Sequence, residues 1–273
     1  MRLAILSDNN SACDQFESEH GLSIYLEQDA LKYLFDTGAS SLFIRNAETL
    51  GINLSEVDYL FISHAHNDHI GGLIDFLNIN SKAKIILSKN ALNRKLFSKR
   101  TGLREIGNDI NPETFKEKII YIGDMPLDTE NFVVTHIETN KYSMPKGNST
   151  LFKGSIDKLE SDDFDHEIVV ATGQKNLFVY TGCAHHGLLN ALESIDRLSS
   201  KPIDIIAGGF HLLEGENFEK KEEIEDIIIE LQNKYQKAKV LSGNCTGINA
   251  LEMFKEKLQN KFTSFYTGFE MIL

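Results

Sequence analysis

Four of the six residues from 64 to 69 are types that bind metal ions: the segment reads His64-Ala65-His66-Asn67-Asp68-His69, with Gly71 and Gly72 behind it. Imidazole and carboxylate are the side chains that suit zinc, iron or manganese. Two histidines two apart in an extended turn can aim their rings at one point. Asp68 and His69, neighbours at the start of a helix, splay toward a second. Such a set suits two adjacent metal ions, each needing further ligands from elsewhere in the chain. Two later segments offer them. Thr181-Gly182-Cys183-Ala184-His185-His186-Gly187 and Gly208-Gly209-Phe210-His211 each follow a predicted strand. Loops at strand ends along one edge of an open sheet are where sites gather.

The elements that must hold these residues follow from apolar periodicity. Residues 3–7 read as a short strand, and 22–27 with 31–35 as a hairpin. Residues 57–63 (VDYLFIS) form a buried strand that delivers the chain to His64. Ile70, Leu73, Ile74 and Leu77 then fall at helical spacing. In the last third, 168–171 and 177–181 flank a Gly173 turn, and a helix carries Leu188, Leu192 and Ile195. A strand at 203–207, a long helix with Ile224, Ile228 and Leu231, and a strand at 240–242 follow. Thr246 is placed as the cap of a last helix. Residues 89–165 are the least regular, with a charged helix-like stretch near 90–100. They read as an insertion within a single domain spanning 1–273.

The chain has 273 residues and a formal net charge of −12. That acidity speaks against a nucleic-acid backbone binder and against a polybasic membrane-surface protein. Three scattered cysteines make no disulfide framework, no apolar run is long enough to span a membrane, and the first residues lack a signal-peptide core; the expected location is cytoplasmic.

The His64–Gly72 run resembles the signature of the metallo-β-lactamase superfamily. Asp8-Asn9-Asn10, Leu34-Phe35-Asp36-Thr37-Gly38, Gly182-Cys183-Ala184-His185 and Gly208-Gly209-Phe210-His211-Leu212 resemble one branch of it. That branch holds the dihydropterin-ribofuranosylaminobenzene 5′-phosphate synthases. The resemblance implies an α+β fold, an αβ/βα four-layer sandwich, with a binuclear site at one edge. It assigns His64, His66 and His185 to the first metal and Asp68, His69 and His211 to the second. Cys183 stands where many members place a bridging Asp, making it a candidate ligand. Asp36 resembles the carboxylate that orients a metal-bound histidine. One departure stands out: the branch pattern His-Cys-Thr-Gly reads Asn244-Cys245-Thr246-Gly247 here.

The expected cofactors are two divalent ions, zinc first, with iron or manganese as alternatives. His66 where redox relatives carry Glu demotes a di-iron reading. Two such ions activate water at neutral pH, and Asp68 beside it can accept a proton. The expected function is metal-dependent hydrolysis of a small anionic ester, thioester or phosphoester. The alternatives are a pterin-related synthase or transferase and a metal-bound ligand sensor without turnover. No nucleic-acid or membrane partner is expected. A helix start with bare amides attracts anions, so Asn244, Thr246 and Gly247 are placed on a substrate phosphate or carboxylate. His136, near a strand end, is a second substrate candidate. His20 and His166, among charged neighbours, read as surface residues.

Overall fold

The computed structural model describes residues 1–272. The chain divides into two compact units. The first comprises residues 1–124, 150–168 and 266–272; the second comprises 125–149 and 169–265.

The first unit is built on a seven-stranded sheet in the order Glu270–Ile272, Arg2–Ser7, Ser23–Gln28, Leu31–Phe35, Tyr59–Ile62, Lys84–Ser88, Ile119–Ile122. The hairpin side is antiparallel, and the last four strands run parallel. Strands buried on both faces need continuous apolar runs rather than alternation, which is why YLFI at Tyr59–Ile62 sits at the centre. On one face Leu34, Leu60, Ile62 and Ile85 pack with Phe43 and Ala47 of helix Leu42–Thr49 and with Leu73 and Phe76 of helix Leu73–Ile79. On the other face Tyr33, Phe35, Tyr59 and Phe61 stack across neighbouring strands, with Phe35 and Phe61 centroids 5.4 Å apart. Cross-strand aromatic pairs of this kind lock register.

A second, antiparallel sheet in this unit orders Lys158–Ser161, Leu151–Ser155, Leu96–Ser98 and Arg104–Glu105. It corrects the helix-like reading of 90–100. Pairing with Leu151–Ser155 buries both Leu96 and Phe97, which a solvated charged helix would leave exposed. Residues 89–165 thus supply strands to all three sheets of the chain.

The second unit has a seven-stranded sheet ordered Phe262–Ser264, Lys239–Ser242, Ile203–Gly208, Leu177–Tyr180, Ile168–Thr172, Phe132–His136, Leu127–Asp128. The first four are parallel, and Leu177–Tyr180 turns back on Ile168–Thr172 as the predicted hairpin. Helices Leu188–Leu198, Lys221–Lys234 and Ile248–Leu258 bury Leu192, Ile195, Ile228, Leu231 and Phe254 against Val179, Ile206 and Val240. In both units the parallel strands end on the segments that carry the metal-binding residue types.

Candidate metal centre

In the first unit, adjacent parallel strands Leu31–Phe35 and Tyr59–Ile62 end in register, with Phe35 opposite Phe61. The chain leaves them at Asp36 and Ser63-His64. Asp36 takes a left-handed φ of 56°, held by its amide on the Phe61 carbonyl at 2.8 Å. A non-glycine residue in that region is sparsely populated, and its cost is met where surrounding bonds over-determine it. Here the bonds come from the carboxylate itself. Oδ1 accepts the Ser63 amide at 2.6 Å, and Oδ2 accepts both the Ser63 hydroxyl and His69 Nδ1–H at 2.6 Å.

That network assigns tautomers. The single Ser63 hydroxyl proton is given to Asp36, so Ser63 Oγ must accept from His64 Nδ1–H, 2.8 Å away. His64 and His69 therefore both carry their proton on Nδ1, and each presents the Nε2 lone pair. His69 Nε2 faces Asp68 Oδ2 at 3.7 Å, a nitrogen lone pair beside a carboxylate oxygen. Two acceptors aimed at one another repel unless a cation lies between them, so this donor set fits a metal ion. The rings converge: His64 lies 4.2 Å from His69 and 4.7 Å from His66, centroid to centroid. His64 and His69 are fully buried and His66 nearly so.

The backbone turn that makes this possible needs glycine. A Cβ on Gly71 would stand 2.3 Å from the Ala39 carbonyl oxygen, and one on Gly72 2.5 Å from that of Thr37. Burial works to raise the Asp68 carboxyl, but His69 and His20 overcome it and hold the group below the usual carboxylate range. His20 reaches Asp68 Oδ2 at 3.4 Å from a mostly exposed position.

His166, expected on the surface, is fully buried. It lies 5.6 Å from the His66 ring and bonds Asp162, a residue the sequence reading missed. Burial holds His166 below the ordinary imidazole value. Burial would raise Asp162, yet its contacts with His166 and His66 keep it well below the carboxylate range. The cluster of charged residues at 160–167 hid the pair: Asp162, His166 and Glu167 of that cluster are buried.

In the second unit, Leu177–Tyr180, Ile203–Gly208 and Lys239–Ser242 end side by side. Each following loop has a non-glycine residue at left-handed φ: Ala184 at 53°, His211 at 49° and Asn244 at 49°. His185 and His211 come together, centroids 4.4 Å apart. Asn148 Nδ2 is spent on the His185 carbonyl at 2.7 Å, so Asn148 Oδ1 accepts His185 Nδ1–H at 3.1 Å. His185 too presents Nε2. Cys183, His211 and Cys245 form a third group whose ligand atoms lie within 4.8 Å of one another. Cys245 Sγ accepts the His211 amide at 3.3 Å. Burial would raise this thiol, but contacts with Cys183 and His211 pull it well below the usual thiol range. Asn244 Nδ2 stands 3.5 Å from Cys183 Sγ.

The expected role of Thr246 as cap of the last helix is corrected. Ser242 gives its hydroxyl proton to the Gly208 carbonyl, so Thr246 donates to Ser242 Oγ and accepts the Phe210 amide at 2.9 Å. The Thr246 hydroxyl is therefore used inside the fold and caps nothing. Helix Ile248–Leu258 starts after Gly247, whose amide bonds the Leu212 carbonyl, while Glu214 accepts the Asn249 amide at 2.8 Å. A carboxylate of the chain already sits at this helix start. His136 ends strand Phe132–His136 and is partly exposed.

Comparison with known proteins agrees with the geometry. The sequence pattern of the metallo-beta-lactamase superfamily matches residues 19–209, and the chain belongs to that superfamily. It has the superfamily's α+β fold. Among individual relatives, the chain is 27% identical over 271 residues to 7,8-dihydropterin-6-methyl-4-(beta-D-ribofuranosyl)-aminobenzene-5′-phosphate synthase of Methanocaldococcus jannaschii, covering 93% of this chain and 90% of that one. The crystal structure of Tm1679, a metal-dependent hydrolase of the beta-lactamase superfamily, superposes with a TM-score of 0.81 at 29% identity, covering 100% of this chain and 99% of that one. A diphosphatase of the PhnP family shares the fold at a TM-score of 0.53 and 12% identity, covering 100% and 97%. The superfamily uses divalent metal ions, and the His/Asp clusters described above can hold them. No helix among the described residues is long and apolar enough to cross a membrane.

Proposed function

We propose that the chain is a metal-dependent hydrolase with a binuclear centre, acting on a small anionic ester, thioester or phosphoester. The carrying observation is the tautomer set at the strand ends: His64, His69 and His185 each have Nδ1–H engaged by oxygen, so that Nε2 is the nitrogen with the lone pair. Neutral imidazoles held this way, their second nitrogen on a polar partner, are the usual ligand form. The candidate ligands are His64, His66, Asp68 and His69 in the first unit and His185 and His211 in the second, with Cys183 as a further candidate. Two divalent ions bound there, zinc for preference, would supply water activation and polarisation of the electrophile at neutral pH.

The remaining roles fall to the chain. Asp36 orients His69 directly and His64 through Ser63. Asn148 orients His185. Asp68, kept ionised, is the group placed to take a proton during turnover. Similarity along 93% of the chain to a pterin-related phosphate synthase supports a second reading, in which the substrate is a phosphorylated pterin-like metabolite and the step is group transfer.

Metal analysis joined to a screen of carboxylic esters, thioesters, phosphomonoesters and phosphodiesters tests the hydrolase reading. Two metals per chain, with turnover of one class abolished by His66→Ala, is the expected result. Stoichiometric metal with no hydrolysis of any class overturns it.

A further inference from the structure

We propose that Asp162 and His166 are positioning residues for the metal ligand His66, tying its ring and the backbone beside it to one buried carboxylate. The inference rests on the metal reading above and concerns residues that lie far in sequence from the His64–His69 segment.

The contacts form a closed chain. The Ala65 amide, between the two histidines, donates to His166 Nδ1 at 3.2 Å. That nitrogen is therefore an acceptor, and the His166 proton sits on Nε2. Nε2 faces Asp162 Oδ2 at 3.2 Å. The other carboxylate oxygen is taken by the Phe164 amide at 2.9 Å. His66 Nε2 stands 3.9 Å from the same Oδ2, within ion-pair reach though beyond hydrogen-bond length. At that distance the carboxylate charge favours a proton on the facing Nε2, so Asp162 biases the tautomer of the His66 ring electrostatically rather than through a hydrogen bond.

Burial gives the arrangement its weight. The His166, His66 and Asp162 side chains are 0%, 5% and 0% exposed. An ionised carboxylate and two imidazoles are unfavourable to take out of water unless their bonds are well made. Phe164, at a left-handed φ of 53°, edges its ring against both His66 and His166. The Ser63 carbonyl bonds the Ile168 amide at 2.8 Å, closing the segment onto the strand that delivers His64. A packed apolar turn would hold the segment at lower cost. The polar solution makes sense where a ring must be held in one tautomer.

Zinc titration of the metal-free full-length chain tests this, comparing wild type with Asp162→Asn, His166→Asn and Asp162→Glu. Loss of an orienting partner commonly weakens metal binding about 10–100-fold. The expected result is that loss at one of two sites in Asp162→Asn and His166→Asn, with partial recovery in Asp162→Glu. Ring-nitrogen chemical shifts of His66 in the metal-free protein should change from a single tautomer to a mixture. Asn46→Ala, which removes buried bonds to Leu6 and Glu17 carbonyls away from the histidines, serves as the structural control and should leave zinc affinity unchanged. Two tightly bound zinc ions in every variant overturn the positioning role while leaving the metal reading intact. A wild-type chain that takes up no zinc overturns both. Should Asp162→Asn fail to fold, His166→Asn decides by the same readouts.

Discussion

Removing the charge of Asp36 should cost more than any surface substitution, and the structure sets the size. Its two oxygens serve three donors at 2.6 Å: the Ser63 amide, the Ser63 hydroxyl and His69 Nδ1–H. The site is fully buried. In Asp36→Asn the amide oxygen can keep the Oδ2 position or the Oδ1 position, never both. If it keeps Oδ2, the new NH2 group meets the Ser63 amide donor; if it keeps Oδ1, NH2 meets His69. Either way at least one buried donor loses its acceptor, at about 1–3 kcal/mol, and the charge assistance of the rest weakens. A total near 3 kcal/mol is expected. For a chain of this size that is a fall in Tm of roughly 6–12 °C. Urea unfolding of the metal-free protein reads the stability directly, and an unchanged m-value would keep the comparison two-state. Zinc affinity should fall in parallel, because His69 and, through Ser63, His64 lose their fixed tautomers. A stability loss under about 1 kcal/mol with unchanged zinc binding would refute the reasoning, since it would mean that neither the tautomers nor the turn depends on the carboxylate.

Three further outcomes are expected. The pH dependence of metal-free stability should have an acid limb. His166 lies below its ordinary 6.5 and Asp162 below 3.8 in the fold, so the unfolded chain binds more protons and stability falls as pH drops below about 6.5; His166→Asn should flatten the upper part of that limb in a pH series of thermal melts. Gly147→Ala would bring a Cβ to 2.5 Å from Leu213 Cδ1 and 2.9 Å from His211 Cδ2. Overpacking of this kind costs about 1–3 kcal/mol, and displacement of the His211 ring should also weaken zinc binding, measured by competition with a chromophoric chelator. Zinc at about a thousand times its Kd should raise the Tm of the stripped protein by roughly 8 °C or more, from about 4 kcal/mol of linkage; manganese at the same concentration should raise it less, and an equal rise would count against sulfur near the ions.

The sequence exposes the parts of this molecule that depend on local pattern. Strand Tyr59–Ile62 is buried on both faces, so its apolar run is continuous and visible. The hairpin at Ile168–Thr172 and Leu177–Tyr180 shows because its turn residues lie between two short apolar runs. What stayed hidden depends on partners far away in the chain. Leu96–Ser98 looks like part of a charged helix until Leu151–Ser155 pairs with it and buries Leu96 and Phe97. His166 looks solvated because Asp163, Asp165 and Glu167 surround it in sequence, but bonds to Asp162 and to the amide of Ala65, a hundred residues earlier, turn it inward. Thr246 has the residue type of a helix cap, but Ser242 and Phe210 claim its hydroxyl first. In each case a long-range bond overrode a correct local preference.

The ligand types carry an argument about the metal itself. The first unit offers nitrogen and oxygen: three histidines, Asp68, and behind them Asp36 and Asp162. The second offers nitrogen and sulfur: His185 and His211 with Cys183 and Cys245. Manganese favours oxygen-rich sets, and thiolates favour softer ions. Zinc, without geometric preference from its d electrons, accepts imidazole, carboxylate and thiolate alike. On the reading proposed above, zinc suits both sets, even with Asn244 standing where the branch pattern has histidine. That replacement removes an imidazole beside two sulfurs and puts an amide within 3.5 Å of Cys183 Sγ. An amide N–H near a thiolate stabilises its charge without binding metal, so the exchange would tilt the second unit's donor set further from imidazole toward sulfur.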